Sequence, residues 1–210
     1  MLLPRLLIDN DIFILLAGAN LLEQAVGTIG FALEETCRLE ALSYIVRKHK
    51  KPSPLPPEIV ERVIHACKTV PVLSEAPDLE LVQSLTNTPT VDAGEALLYA
   101  LLAEHPGYLL TSGDKRAMNA IAQIQALGLI RAAVAGRVIC LETLLLKVLE
   151  QHDIADVARA LAPVLPQNVT LRSIFTPNNI RKPALCLEGL SAYQQALIAQ
   201  VGAGFLWLGI

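Results

Sequence analysis

Short apolar runs alternate with longer helical patterns over the first two thirds of the chain. A brief, mostly apolar run between polar or turn residues is too short for a helix and is typical of a buried strand. Such runs predict strands at Leu6–Ile8, 27–31, 108–110 and 137–140. Because helical stretches separate them, the pattern predicts an α/β fold with a parallel sheet.

Helical periodicity fills the intervals between these runs. Apolar spacing, helix-start residues and helix-stop residues predict helices over residues 12–24, 33–50, 57–68, 79–85, 92–104, 115–127 and 141–151. The helix over residues 33–50 depends on an apolar stripe at i, i+4, i+8 and i+11, and Gly128 is expected to end the helix that begins at residue 115. A stretch with four prolines, residues 48–58, is expected to be an exposed linker or loop.

The pattern also divides the chain. Beyond Asp153 it becomes helical with prolines in the loops, so we expect an α/β domain over residues 1–150 and a helical extension over residues 151–210. The chain is 53% hydrophobic, which is enough for a sizeable core. The apolar tail at residues 196–210 is shorter than a membrane span and is predicted to be a buried or interface helix, with no membrane contact.

Charge and cysteine usage narrow the function classes. The net charge of −3 excludes binding to nucleic acid through the overall charge of the protein. Only a local basic rim could bind nucleic acid electrostatically. The four cysteines are far apart, and none has the spacing of a metal site. We therefore expect reduced core cysteines in a cytoplasmic protein.

Acidic residues follow two of the predicted strands and open one helix. Asp9 and Asp11 follow the first strand, and Asp114 follows a later one. Asp92 and Glu95 are at i and i+3 at the start of a helix and so share one face. Ligands bind at the carboxyl ends of the strands in open α/β sheets, and Mg²⁺ and Mn²⁺ prefer oxygen ligands. The sequence therefore predicts a carboxylate cluster that binds Mg²⁺ or Mn²⁺.

The order of these motifs resembles that of the PIN-domain nucleases. Asp9-Asn10-Asp11 is similar to the family's D-x-N/D motif, Gly94-Glu95-Ala96 to one form of its third acid, and Thr111-Ser112-Gly113-Asp114 to its T-x-x-D motif. The family's second acid follows the second strand and corresponds to Glu34 or Glu35. The resemblance implies a three-layer α/β/α sandwich and a metal-dependent ribonuclease, either toxin-type or RNA-processing.

The resemblance covers roughly residues 5–145 and implies roles for the acids. Asp9, Glu95 and Asp114 would hold the metal, which activates a water and neutralises charge on the phosphodiester. Glu35 would bind a second metal or order the attacking water.

Four further residues are implied to contact RNA. Thr111 and Ser112 would orient the water or a phosphate oxygen, and Lys115 and Arg116 would bind backbone phosphates. The basic cluster at residues 47–51 is either a further RNA contact or a solvated helix end. The family often forms homodimers and is sometimes inhibited by a partner protein, so both are expected here.

Other interpretations of the same residues stay open. Asp92 and Glu95 have the spacing of a capping box, and Asp114 is a common turn residue. A PIN-like fold without activity would be a binding or scaffold module. Asp9 and Asp11 also fit the first motif of a haloacid-dehalogenase-type phosphatase, but the later acid and lysine of that family follow the strand too early here.

Overall fold

The computed structural model describes residues 4–48 and 55–209. Its centre is one parallel sheet of four short strands in the order β2-β1-β3-β4. The strands are β1 Leu6–Ile8, β2 Thr36–Arg38, β3 Leu109–Ser112 and β4 Val138–Cys140. Parallel bridges from Val72 to Arg38 and from Leu206 to Val138 extend the two edges of the sheet. The predicted α/β class with a parallel sheet is confirmed.

Helices connect the strands and cover the sheet. They are α1 Asn10–Gly18, α2 Leu22–Thr28, α3 Leu42–Arg47, α4 Pro57–Thr69, α5 Leu79–Thr86, α6 Ala93–Glu104, α7 Lys115–Gln123, α8 Gly128–Val134, α9 Leu141–Leu149, α10 Ile154–Leu161, α11 Val169–Ile174, α12 Pro177–Ile180 and α13 Pro183–Val201. Among residues 4–48 and 55–209 no single helix is long and apolar enough to cross a membrane, although the pair Lys115–Gln123 and Gln125–Val134, bent by 87°, meets the length and composition limits jointly.

The sheet has an apolar core on each face. Leu6 and Ile8 point into one core, which α1, α2, α4 and α9 also line, whereas Leu7 points into the other, beneath α6, α7 and α8. This alternation follows from the two-residue period of a strand. A sheet covered by helices on both faces is consistent with a three-layer α/β/α sandwich.

The last sixty residues belong to the same structure as the sheet. Residues of α10, α11 and α13 contribute to the core shared with α1 and α9. Phe205 and Leu206 are buried in the other core, and the Trp207 N–H donates to the Val138 carbonyl at 2.8 Å. Residues 151–209 are therefore integrated into the fold, and Phe205 and Leu206 close its core.

The second strand was predicted in the wrong place. Residues 27–31 form the end of α2 and a turn in which Gly30 has φ 86°, and the strand is Thr36–Arg38. The predicted helix over residues 33–50 is also wrong, because β2 interrupts it and α3 begins only at Leu42. The sequence of this strand, Thr36-Cys37-Arg38, does not indicate a buried strand, because it contains the charged Arg38. Its guanidinium donates to the Cys67 carbonyl at 2.7 Å, and this bond compensates for burying a charged residue at the end of the strand.

Other boundaries differ less. The helix from residue 115 ends at Gln123, and Gly128 begins α8 and does not end a helix. The four cysteines are free and buried, as predicted. Most of the proline-containing stretch and of the basic cluster, residues 49–54, lies outside the described residues.

Candidate acidic site

The strand order creates a crevice between β1 and β3. From β1 the chain crosses to β2 on one side, and it later returns to place β3 on the other side. Such a switch point lies open at the carboxyl ends of the two strands, where ligands of open α/β sheets bind. Asp9 follows β1 directly, and its N–H donates to the Thr111 carbonyl of β3 at 3.1 Å. Asp114 lies two residues beyond β3 and so borders the same crevice.

A cleft of about 410 Å³ occupies this position. Five acidic residues from three segments of the chain line it: Asp9, Asp11, Asp92, Glu95 and Asp114. Asn10, Ile45 and Arg116 are among the other lining residues. The structure therefore brings Asp9, Glu95 and Asp114 to one cleft at the switch point of the sheet.

Three of these acids also stabilise helix starts. Asp92 and Glu95 form a reciprocal capping box at α6, in which each carboxylate accepts the other residue's N–H at 2.8 and 2.9 Å. Asp114 caps α7 through Oδ1, which accepts the N–H groups of Arg116 and Ala117 at 2.7 and 3.1 Å. The structural interpretation of these residues is correct, and it leaves one oxygen of each carboxylate outside the capping bonds.

Burial and the clustered charges raise the pKa of two of these acids. Burial raises the pKa of Asp9 from 3.8 to about 7, and the neighbouring Asp11 and Asp92 charges add to the rise. Burial likewise raises the pKa of Glu95 from 4.5 to about 8, with further contributions from Asp114, Asp92 and Asp9. Either a proton or a cation would relieve the unfavourable free energy of these buried charges. A proton removes the charge, whereas a nearby cation stabilises the ionised form.

The donor set matches a hard divalent cation. Every acidic side chain of the cleft offers oxygen, and the buried Asn10 Oδ1 atom, which has no hydrogen-bond partner in the described structure, is a further oxygen at its edge. Within residues 4–48 and 55–209, however, no group of three or more His, Cys, Asp or Glu is arranged to hold a metal ion. Mg²⁺ commonly uses only one or two carboxylates and keeps several waters. The cleft fits that kind of site and not a preformed cage of three acids.

Glu35, which was predicted to be catalytic, lies away from this cleft, and the structure does not bring it together with Asp9, Glu95 and Asp114. It precedes β2, whose Thr36 is in register with Leu6, so it lies at the amino edge of the sheet, whereas Asp9 lies at the carboxyl edge. Its carboxylate accepts the Ala32 N–H at 2.9 Å in a short 3₁₀ turn that also contains Glu34. The sequence placed Glu35 after the second strand because it placed that strand too early in the chain, whereas Glu35 precedes β2.

Sequence reasoning missed the acid that follows the true second strand. Glu40 lies two residues beyond β2 and is exposed. Correct placement of β2 would have identified it. It does not line the acidic cleft in this structure.

Two of the predicted RNA contacts are buried. Thr111 and Ser112 are each 1% exposed. The Thr111 hydroxyl donates to the Leu7 carbonyl at 3.5 Å, and the Ser112 hydroxyl accepts the Asp114 N–H at 3.3 Å. They organise the end of β3 and are out of reach of a phosphate, so neither acts as a direct RNA contact in this conformation.

The two predicted basic contacts have different surroundings. Lys115 is paired with the buried carboxylate of Glu142 at 2.5 Å and lies 4.9 Å from the centre of the Tyr193 ring. The Arg116 side chain is 82% exposed and lies 3.4 Å from Asp114 Oδ2. Arg116 is therefore the more available cation at the rim of the cleft.

A second cleft of about 330 Å³ adjoins the first. Both are lined by Asp11, Asp114 and Arg116, and the second also includes Asn168 and Thr170 from the C-terminal part of the chain. The acidic cleft thus continues into a groove with one wall built from residues beyond 150.

Comparison of the chain with models of known protein families, with curated proteins and with solved structures found no match.

Proposed function

We propose that the protein is a PIN-like, Mg²⁺- or Mn²⁺-dependent ribonuclease whose site is the acidic cleft. The observation that supports this most strongly is the meeting of Asp9, Glu95 and Asp114, from three separate segments, at the switch point of the sheet. The order of their motifs, which resembles that of the PIN-domain nucleases, supports the same reaction class.

The side chains divide the chemical work between them. Burial raises the pKa of Asp9 and of Glu95, so these two carboxylates would gain most from a bound cation. They would bind it, with Asp114 as a further oxygen donor. A bound Mg²⁺ or Mn²⁺ supplies an activated water and neutralises charge on the phosphodiester. Arg116 lines both clefts and would bind a backbone phosphate of the RNA.

The test is cleavage of a mixed pool of single-stranded and structured RNA with Mn²⁺ or Mg²⁺. Wild type is compared with Asp114→Asn, which keeps a good helix cap but removes the charge. Asp78→Asn is the matched control, because Asp78 caps α5 in the same way, through bonds to two backbone N–H groups, and is not among the residues of the acidic cleft.

We expect wild type to cleave RNA only when the metal is present. Asp114→Asn should lower this activity by about 10²-fold or more, whereas Asp78→Asn should retain it. Cleavage that is equal in all three proteins, or that persists in excess EDTA, would refute the proposal.

A second candidate is a binding or scaffold module with the same fold. It is favoured by the capping bonds of the acids and by the lack, among the described residues, of three acids set to hold a metal. This alternative predicts RNA or protein binding that is unaffected by EDTA and by Asp9→Asn. Self-association, an inhibitory partner and a cytoplasmic location stay predictions.

A further inference from the structure

Tyr99 is a buried polar side chain that the proposed mechanism does not use. It is 0% exposed, and its hydroxyl has no hydrogen-bond partner within residues 4–48 and 55–209. It lies on α6 four residues after Glu95, so the two side chains share one face of the helix.

The Tyr99 hydroxyl lies within electrostatic range of the acids of the cleft. Burial raises the pKa of Tyr99 far above its ordinary value, and the negative charges of Glu95, Asp9 and Asp114 add to the rise. The phenol is therefore a neutral hydrogen-bond donor at every pH at which the fold is studied. The Ser112 hydroxyl is close enough to act on the phenol as a hydrogen-bonding group and lowers its pKa, although no hydrogen bond of ordinary geometry joins the two side chains.

A buried hydroxyl without a partner is costly. It forfeits its hydrogen bonds to water, and native structures contain few such groups. The other fully buried tyrosine shows the usual arrangement, since the Tyr108 hydroxyl donates to Glu75 Oε1 at 3.1 Å. A donor held without a partner beside a group of acids indicates a partner in another state of the site.

Glu95 offers a carboxylate one helical turn before Tyr99. Its Oε2 atom accepts the Asp92 N–H, and its Oε1 atom carries no hydrogen bond within the described residues. We propose that Tyr99 is a positioning residue that donates its hydroxyl proton in a hydrogen bond to the Glu95 carboxylate when a divalent cation is bound, and so holds that ligand in place. This inference rests on the proposed function.

Partners that orient a metal ligand typically change metal affinity by about 10- to 100-fold. The Tyr99→Phe variant should therefore bind Mn²⁺ about 10- to 100-fold more weakly than wild type in calorimetry at about pH 8.5. Without metal its thermal midpoint should equal or exceed that of wild type, because the lost hydroxyl had no partner. The control, Tyr108→Phe, loses a bond that the structure contains, so it should melt at a lower temperature and bind Mn²⁺ normally.

The outcomes separate this inference from the proposed function. If wild type binds no Mn²⁺, both fail. If wild type binds Mn²⁺ and Tyr99→Phe binds it within about threefold of wild type, only the role of Tyr99 fails, since that is below the smallest change expected. A metal-free midpoint for Tyr99→Phe as low as that of Tyr108→Phe would show a structural hydroxyl and would also overturn the role.

Discussion

Replacement of Asp9 by asparagine should stabilise the protein at alkaline pH. In the folded state the Asp9 carboxylate is buried beside other acids, which raises its pKa from 3.8 to about 7. At about 1.4 kcal/mol per unit, this rise corresponds to an unfavourable free energy on the order of 4 kcal/mol for the ionised form. Asn removes the charge, and its side-chain oxygen can still accept the backbone N–H groups of Asn10 and Gly113 that bond to the Asp9 carboxylate.

The sign of the pH dependence follows from proton binding. Between about pH 4 and 7 the folded state holds a proton on Asp9 that the unfolded state has released, so the free energy of unfolding of wild type falls as pH rises. The cost is complete above about pH 7 and absent below about pH 4. Glu95, with its pKa raised from 4.5 to about 8, adds a fall of the same sign that extends to about pH 8.

Urea unfolding in EDTA from about pH 4 to pH 8 measures this directly. The gain from Asp9→Asn should be near zero at the acidic end and reach roughly 1–4 kcal/mol at the alkaline end. Asp78→Asn, at an exposed cap, should show no such trend. A difference between Asp9→Asn and wild type that does not change with pH, or a variant that is less stable at about pH 8, would refute the electrostatic account of the cleft.

Three further substitutions test the structural roles. Asp114→Ala should lower the free energy of unfolding by about 1 kcal/mol relative to Asp114→Asn in urea, because it loses bonds to two backbone N–H groups of α7. Gly18→Ala should cost about 1–3 kcal/mol, since its Cβ would lie 2.9 Å from both Ile59 Cγ2 and Val164 Cγ1; an unchanged unfolding midpoint would contradict the packing of residues beyond 150 on α1. Phe205→Ala should cost about 3–5 kcal/mol if the tail closes the core, whereas a cost under about 1 kcal/mol would place Phe205 at the surface.

Asp9 and Asp114 were predictable as acids of the cleft because they follow clear strand signals. Leu6–Ile8 is wholly apolar and ends directly in Asp9, and β3 ends two residues before Asp114. In a parallel sheet these ends lie at one edge whatever the details of packing, so the approximate position of the site followed from the pattern alone.

The second strand and the buried Tyr99 hydroxyl were not predictable in this way. Thr36–Arg38 has three residues and a charge at its end, and it is a strand through its tertiary pairing with β1, which the local sequence does not reveal. Tyr99 is in an apolar helix and resembles an ordinary core residue. The spacing of four residues from Glu95 was the one signal that marked it, and its meaning depends on which face of α6 the sheet covers.

The central claim is that the acidic cleft binds a divalent cation through Asp9 and its neighbours. The most direct measurement is anomalous diffraction from crystals grown with Mn²⁺ at about pH 8. We expect one anomalous peak in the cleft, about 2.0–2.6 Å from a carboxylate oxygen of Asp9 and from one of Glu95 or Asp114. Fully ordered cleft side chains without a peak, or Mn²⁺ bound only at exposed carboxylates elsewhere, would contradict it.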